Sequence, residues 1–233
     1  MQQNELNESI VGSLEFLSTI IGEKSEHKSK LDEIIQKAES GESAAEDVLT
    51  MLENMELDAF DYDSVKRYRI RMKTYRPGHV WEELEDVEFL YKLGAVGRSS
   101  DGKMHPTAAG LLMFGYEYEI VKEFPAYLLD YQEQFDPNTR WTDRIVSSSG
   151  DWSGNVYDFY FRVYNKITQD IKVPFKLEGG DRIDDTPVHK ALREALANCL
   201  INADYYGRQG LVIIKRKDVI TLSNPGGFRI DVE

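Results

Sequence analysis

The chain of 233 residues has one cysteine and four histidines. A single cysteine, Cys199, excludes an internal disulfide and favours a reducing compartment. The histidines are too scattered to form a zinc site with it: His27, His79, His105 and His189. No apolar run approaches the ~18 residues of a membrane-spanning helix, and the N-terminus lacks the basic start and apolar core of a secretory signal. We therefore expect a cytoplasmic protein without a membrane partner.

Basic residues are outnumbered by acidic ones, with 28 Lys and Arg against 41 Asp and Glu and a net charge of −13. Residues 1–63 contain 16 acidic and 4 basic residues, whereas residues 64–233 contain 25 and 24. Apolar residues recur in the acidic part at helical spacing: Leu14, Phe16, Leu17, Ile20, Ile21, Leu31, Ile34 and Ile35. This pattern predicts an acidic helical arm over residues 1–60, either solvated or docked on the rest of the chain or on a partner chain.

A basic segment follows the arm at residues 66–76. Basic and apolar residues alternate from Arg67 onward, which is the period of a strand. The alternation predicts a strand with four cations on one face: Arg67, Arg69, Arg71 and Lys73. Such a face could contact nucleic-acid phosphates, pair with the acidic arm or lie in solvent. Four cations fall short of the positive balance of most nucleic-acid binders, so we expect only weak, non-selective DNA binding.

Residues 61–183 predict a mixed α/β middle domain. Helical periodicity of the apolar residues predicts a helix at 82–93. An apolar run that starts with a proline and ends with a glycine predicts a short buried helix at 106–115. A third helix, rich in aromatic residues, is predicted at 156–171. Alternation predicts a strand at 126–132, followed by a loop over 133–154.

The last fifty residues contain the most informative pattern. Thr186 and Pro187 predict a helix start, and the helix continues to about Ala203. One side is apolar and consists of Val188, Leu192, Ala195, Leu196, Cys199 and Ala203. A polar row spaced four residues apart lies on the other side, with Ala191, Ala197 and Ile201 within or beside it: Lys190, Glu194, Asn198 and Asn202. These polar groups need partners, which are either loops and solvent or a ligand.

A hairpin and a tight turn follow that helix. Residues 211–214 and 219–222 are apolar and β-branched, which predicts two strands around a turn at Lys217 and Asp218. Asn224-Pro225-Gly226-Gly227 then predicts a turn whose backbone can be approached closely.

The motif Glu194-x-x-x-Asn198, followed by this hairpin and Asn-Pro-Gly-Gly, resembles the start of the nucleotide site in GHKL-type ATPases. The chain is most similar to a divergent branch found in bacterial transcriptional regulators labelled RecG-like, which carry an AlbA-like or Schlafen-type DNA-binding domain. The likeness extends to His105-Pro-Thr-Ala-Ala-Gly and to Gly150-Asp-Trp-Ser-Gly-Asn. No Gly-x-x-x-x-Gly-Lys-Ser/Thr phosphate loop is present, so the helicase label is not literal.

We predict an α+β protein with three parts: a helical arm over 1–60, a mixed α/β middle domain over 61–183, and, as the resemblance implies, the start of a GHKL-like α/β sandwich over 184–233. The resemblance also implies ATP and Mg²⁺ as ligands. Glu194 would polarise the attacking water and Asn198 would bind Mg²⁺. The remaining nucleotide contacts implied are Asn202, Asn224, Gly226 and Gly227.

Three further expectations concern the whole protein. The chain stops at Glu233, before the glycine-rich lid of the superfamily, so we expect a fragment or a shortened protein that does not turn over ATP. DNA contact would then come through a domain absent from this chain. The alternatives are a dimerisation scaffold or homo-oligomer with a vestigial nucleotide site, and direct nucleic-acid binding through residues 66–76.

Overall fold

The computed structural model describes residues 52–99, 102–171, 177–178, 181–182 and 186–226. Residues 1–51 of the arm predicted over 1–60, and Gly227, lie outside the described residues. The chain divides into two compact units, residues 1–123 and 124–233. Both units combine helices and strands, which confirms the α+β fold class.

The first unit contains a β-hairpin surrounded by helices. Its elements are α1 Tyr62–Tyr75, α2 Asp86–Lys92, β1 Val96–Arg98, β2 Met104–Pro106, α3 Ala108–Phe114 and α4 Glu117–Glu123. The rings of Phe89 and Phe114 lie 5.9 and 5.7 Å from that of Tyr68, so aromatic packing holds α1 against α2 and α3. A Cβ on Gly110 would lie 1.9 Å from the Ala95 carbonyl oxygen, so α3 can approach the start of the hairpin only without a side chain there.

The strand predicted over 67–73 is wrong, because these residues belong to helix α1. The Asp61 side chain caps the helix by accepting from the Asp63 amide over 3.2 Å. Tyr68 and Met72, one turn apart, are buried, whereas Ile70 is 58% exposed. Burial therefore follows the helical period, and the alternation of cations with apolar residues is incidental to it. Arg, Lys and Met also have high helix propensity.

The short helix predicted at 106–115 is confirmed as α3, with a different start. Pro106 ends β2, and the Thr107 hydroxyl caps α3 by accepting from the Gly110 amide over 3.0 Å. The helix predicted at 82–93 is shorter than expected, because α2 begins only at Asp86.

The second unit is a mixed sheet packed against helices. Its elements are β3 Leu129–Glu133, β4 Asp143–Val146, α5 Val156–Thr168, β5 Leu177–Glu178, β6 Asp181–Arg182, α6 Pro187–Ile201, β7 Leu211–Lys215 and β8 Ile220–Ser223. The four-stranded sheet has the order β4-β3-β7-β8. Its central strands β3 and β7 are parallel, with Leu129 opposite Leu211, and both outer pairs are antiparallel. The predicted boundary at residue 183 therefore falls inside this unit.

Local signals predicted most of the second unit. The helix from Thr186 and the strands at 211–214 and 219–222 correspond to α6, β7 and β8, and the strand at 126–132 overlaps β3. Strand β4 lies in the segment predicted as a loop. The sequence of β4 is too polar to suggest a strand. Its Asp143 and Arg144 form ion pairs with Lys166 and Asp130, which are distant in sequence, so these charged residues have partners within the sheet and its neighbouring helix.

Candidate functional site

Helix α6 presents the predicted polar row along a partly exposed side. Glu194 and Asn198 are half-buried, while Lys190 and Asn202 are exposed. The apolar side is formed by Leu196, Ala197, Cys199 and Leu200, which are buried. Two details of the prediction are wrong: Val188, assigned to the apolar side, is 53% exposed, and Ala197, placed beside the polar row, is buried. The buried stripe therefore starts later along α6 than the sequence pattern indicated.

The side-chain amide of Asn198 makes no hydrogen bond within the part of the chain that the structure describes. Glu194 precedes it by one helical turn, so both side chains lie on the same side of α6. A carboxylate and an open carboxamide offer the oxygen ligands that Mg²⁺ prefers. The residues present at these two positions therefore fit the metal that the resemblance implies.

Asn202 ends helix α6 and uses its side chain for that purpose. Its backbone amide and its side-chain amide both donate to the Asn198 carbonyl oxygen, over 3.1 and 2.9 Å. This arrangement satisfies one of the carbonyl groups that a helix C-terminus leaves without a partner. The amide nitrogen of Asn202 is thus engaged in the fold, and only its side-chain oxygen remains for a ligand.

The turn at residues 224–226 is fastened to the end of α6. The Asn224 side chain donates to the Asn202 carbonyl oxygen over 3.0 Å, and the Asp204 amide donates to the Pro225 carbonyl oxygen over 2.9 Å. We call residues 202–204 and 224–226 together the α6 joint. The structure therefore places Asn198, Asn202, Asn224 and Gly226 at one end of α6.

Gly226 has a conformation that only glycine adopts easily. Its φ is +114°, and a Cβ built on it would lie 3.2 Å from the Cβ of Asp204. The missing Cβ therefore lets the Gly226 backbone pack closely against Asp204. Gly226 itself is exposed to solvent.

The loop that joins α6 to β7 is held by a tyrosine. The Tyr205 hydroxyl donates to the Leu200 carbonyl oxygen over 2.9 Å, and its ring packs 6.0 Å from that of Tyr127. Burial raises the pKa of Tyr205 above its ordinary value, with a smaller contribution from Cys199. The hydroxyl therefore stays protonated and keeps its role as a donor.

Sequence reasoning missed Asp204, which belongs to the α6 joint and connects its two halves. Its backbone amide meets Pro225, a residue far along the chain. The available signal was an acidic residue one position beyond the predicted helix end at Ala203.

The four predicted nucleic-acid contacts do not share one face. In α1, Arg67 and Arg71 lie on one side of the helix, and Arg69 and Lys73 lie on the opposite side. Three of them form ion pairs: Arg67 with Asp61 at 3.4 Å, Arg69 with Asp86 at 2.6 Å and Lys73 with Glu82 at 3.3 Å. A groove of about 400 Å³ beside α1 is lined by three cations and three carboxylates, so it has little net charge.

Metal clusters and membrane-spanning helices are absent from the residues that the structure describes. Nowhere in those ranges do three or more His, Cys, Asp or Glu side chains gather in a way that could hold a metal ion. None of the helices in the same ranges combines the length and apolar character needed to cross a bilayer.

A family profile described as Domain of unknown function (DUF8451) matches residues 33–130, which include all of the first unit's described residues and the start of the second unit. A subunit of the NADH-quinone oxidoreductase of Ralstonia pickettii is 31% identical over 91 residues, and its counterpart in Cupriavidus metallidurans is 28% identical over 90 residues. Each match covers 38% of this chain and 22% of the relative, so the chain spans about a fifth of the length of these relatives.

Among solved structures, the DIP2311 protein from Corynebacterium diphtheriae is similar in fold, with a TM-score of 0.54. The similarity covers 86% of this chain and 36% of that protein, at 17% sequence identity. At this level of identity the likeness extends to the fold alone.

Proposed function

We propose that the second unit binds an adenine nucleotide together with Mg²⁺ at the α6 joint, as the ligand-binding module of a transcriptional regulator. The observation that supports this proposal is the joint itself. Two hydrogen bonds hold the Asn224–Gly226 turn against the end of the helix that carries Glu194 and Asn198. The residues proposed to bind the metal and the turn proposed to bind the base thus lie on connected elements.

Each residue has a definite task in this proposal. The oxygen of the Asn198 side chain would hold Mg²⁺, and the Glu194 carboxylate would orient a water near the metal. The exposed backbone at Gly226 would be the surface against which the base lies. Bound Mg²⁺ supplies charge neutralisation for phosphate oxygens.

A titration of the full chain with a fluorescent ADP analogue, with and without Mg²⁺, tests the proposal. Replacing Asn198 by Ala should weaken binding in Mg²⁺ about tenfold, which corresponds to about 1.4 kcal/mol. The matched control is Asn165→Ala, an exposed helical asparagine of the same unit. Absence of any binding by the wild type, or equal losses in both variants, would contradict the proposal.

A second candidate is a dimerisation scaffold in which the nucleotide site is vestigial. The observation that favours it is the use of the Asn202 and Asn224 amides in hydrogen bonds within the fold. A scaffold predicts no nucleotide binding but a stable oligomer by light scattering. The third candidate, nucleic-acid binding through α1, is disfavoured by the ion pairs of Arg67, Arg69 and Lys73.

A further inference from the structure

The carboxylate of Asp204 is a half-buried charge that makes no hydrogen bond or ion pair to the described residues. The backbone around it is nevertheless fixed on both sides. Its amide donates to Pro225, and its carbonyl oxygen accepts from the Gly207 amide over 3.0 Å. The side chain is partly exposed, so its carboxylate can contact water or accept a hydrogen bond from a ligand. Asp204 is therefore a positioned acceptor that remains available to a ligand.

Two glycines border this carboxylate. A Cβ on Gly207 would lie 3.4 Å from the Oδ2 atom and 2.9 Å from the carbonyl oxygen of Asp204. A Cβ on Gly226 would lie 3.2 Å from the Asp204 Cβ. Both neighbours thus lack the atoms that would crowd the aspartate. A ligand that lies against Gly226 is close to the Asp204 side chain.

The side chain of Asn224, which the resemblance assigned to the adenine base, makes a hydrogen bond within the fold. Its amide nitrogen donates to the Asn202 carbonyl oxygen, which fixes the orientation of the side chain. Asn224 is also exposed, whereas Asp204 is half-buried. A hydrogen bond discriminates between ligands better where water cannot replace it.

We infer that Asp204, rather than Asn224, recognises the base by accepting a hydrogen bond from its exocyclic amine; this inference rests on the proposed function. An ionised carboxylate is only an acceptor, so it bonds the amino group of adenine and is repelled by the keto oxygen of hypoxanthine. Asp204 is therefore a specificity-determining residue for amino-purine over keto-purine nucleotides.

The test compares the affinities of the full chain for ADP and IDP by calorimetry. We expect the wild type to prefer ADP at least about tenfold, because IDP would leave the carboxylate facing an acceptor. In Asp204→Asn the preference should fall to about onefold, since a carboxamide can also donate to the keto oxygen. The matched control, Asp218→Asn in the exposed β7–β8 turn, should retain the wild-type preference.

The outcomes separate this inference from the proposed function. If the wild type binds ADP and IDP equally, the inference is wrong and the nucleotide site stands. If the preference for ADP over IDP survives in Asp204→Asn but disappears in Asn224→Ala, Asn224 is the residue that recognises the base and the inference is again wrong. If neither nucleotide binds, both proposals fail. The affinities of the wild type for ADP and IDP can contradict the inference on their own. The test therefore remains decisive even if the Asp204→Asn chain folds poorly.

Discussion

The side-chain amide of Asn224 donates to the backbone carbonyl oxygen of Asn202, with 3.0 Å between nitrogen and oxygen. Asn202 in turn donates to the Asn198 carbonyl oxygen, so three asparagines form a continuous series from the last turns of α6 to the turn after β8. These contacts make the C-terminal end of α6 and the 224–226 turn one structural element. Changes to either half are expected to affect the other.

The first prediction concerns the Asn224 contact. Asn224→Ala should lower the free energy of unfolding by about 1 kcal/mol, the net value of one hydrogen bond. Asn224→Asp should cost more, because a carboxylate cannot donate and would face the Asn202 carbonyl oxygen. Urea denaturation of both variants measures the difference. Equal stabilities for the wild type and Asn224→Asp would show that the contact contributes nothing.

The second prediction separates backbone strain from ligand approach at Gly226. Gly226→Ala and Gly150→Ala each place a side chain at a positive φ, and each should cost about 1 kcal/mol of stability or more. Only Gly226 has a neighbour, Asp204, within 4 Å of the added Cβ, whereas Gly150 has none. We therefore expect loss of nucleotide affinity only in Gly226→Ala. A similar loss in Gly150→Ala would attribute the effect to general destabilisation.

The third prediction concerns nucleic acids. Because Arg67, Arg69 and Lys73 form ion pairs with carboxylates, we expect weak duplex DNA binding with a shallow dependence on salt concentration. Fluorescence anisotropy at several salt concentrations measures both quantities. Submicromolar, sequence-selective binding at physiological salt would overturn this expectation and favour α1 as an interface.

The fourth prediction concerns acid stability. A hydrogen bond from Lys166 lowers the pKa of Asp143 below its ordinary value, although burial opposes the shift. The contribution is therefore complete above the unfolded-state pKa of about 3.9 and is lost as pH falls through the lower folded-state pKa. Asp143 is 39% exposed, so solvent screening should limit the effect to below about 1 kcal/mol.

Urea denaturation between about pH 2 and pH 6 checks this expectation. Asp143→Asn should remove part of the decline in stability at low pH. Asp151→Asn, which changes an exposed carboxyl of the same unit, serves as the control. A wild-type decline that persists unchanged in Asp143→Asn would contradict the assignment.

The fifth prediction concerns Cys199, which is buried in α6. Burial raises the pKa of its thiol to about 11, so little of the reactive thiolate exists at pH 8. We expect slow reaction with Ellman's reagent in the native protein and rapid reaction in 6 M guanidinium chloride. Nucleotide should leave the native rate unchanged, because the thiol lies on the buried side of the helix. A fast native reaction would mean that α6 opens readily.

Elements of this fold could be predicted from the sequence where the interactions that specify them join residues close together in the chain. Thr186 and Pro187 specify the start of α6 through capping chemistry within one turn, and the structure places the helix there. In α1 the same kind of reasoning failed, since the buried side is decided by contacts of Tyr68 with Phe89 and Phe114. Those contacts join residues from three helices, and the spacing of charged residues along α1 does not indicate them.

The candidate site shows the same limit. Glu194 and Asn198 were recognisable because a fixed spacing on one helix carries the motif. Asp204 was not, because its importance arises from the Pro225 carbonyl oxygen and from two glycines that flank it after folding. The pairing of β3 with β7 likewise joins distant segments that no local pattern connects.

That parallel pairing also constrains the order in which the second unit forms. The β3–β4 and β7–β8 hairpins join neighbouring segments, so each can form early, whereas β3 meets β7 only after the intervening α5 and α6 have been made. During synthesis, the edge of β3 that will receive Leu211 to Lys215 therefore remains open until β7 leaves the ribosome. An open apolar strand edge invites pairing with other chains, so this interval is when the nascent protein is most prone to aggregate and most dependent on chaperones.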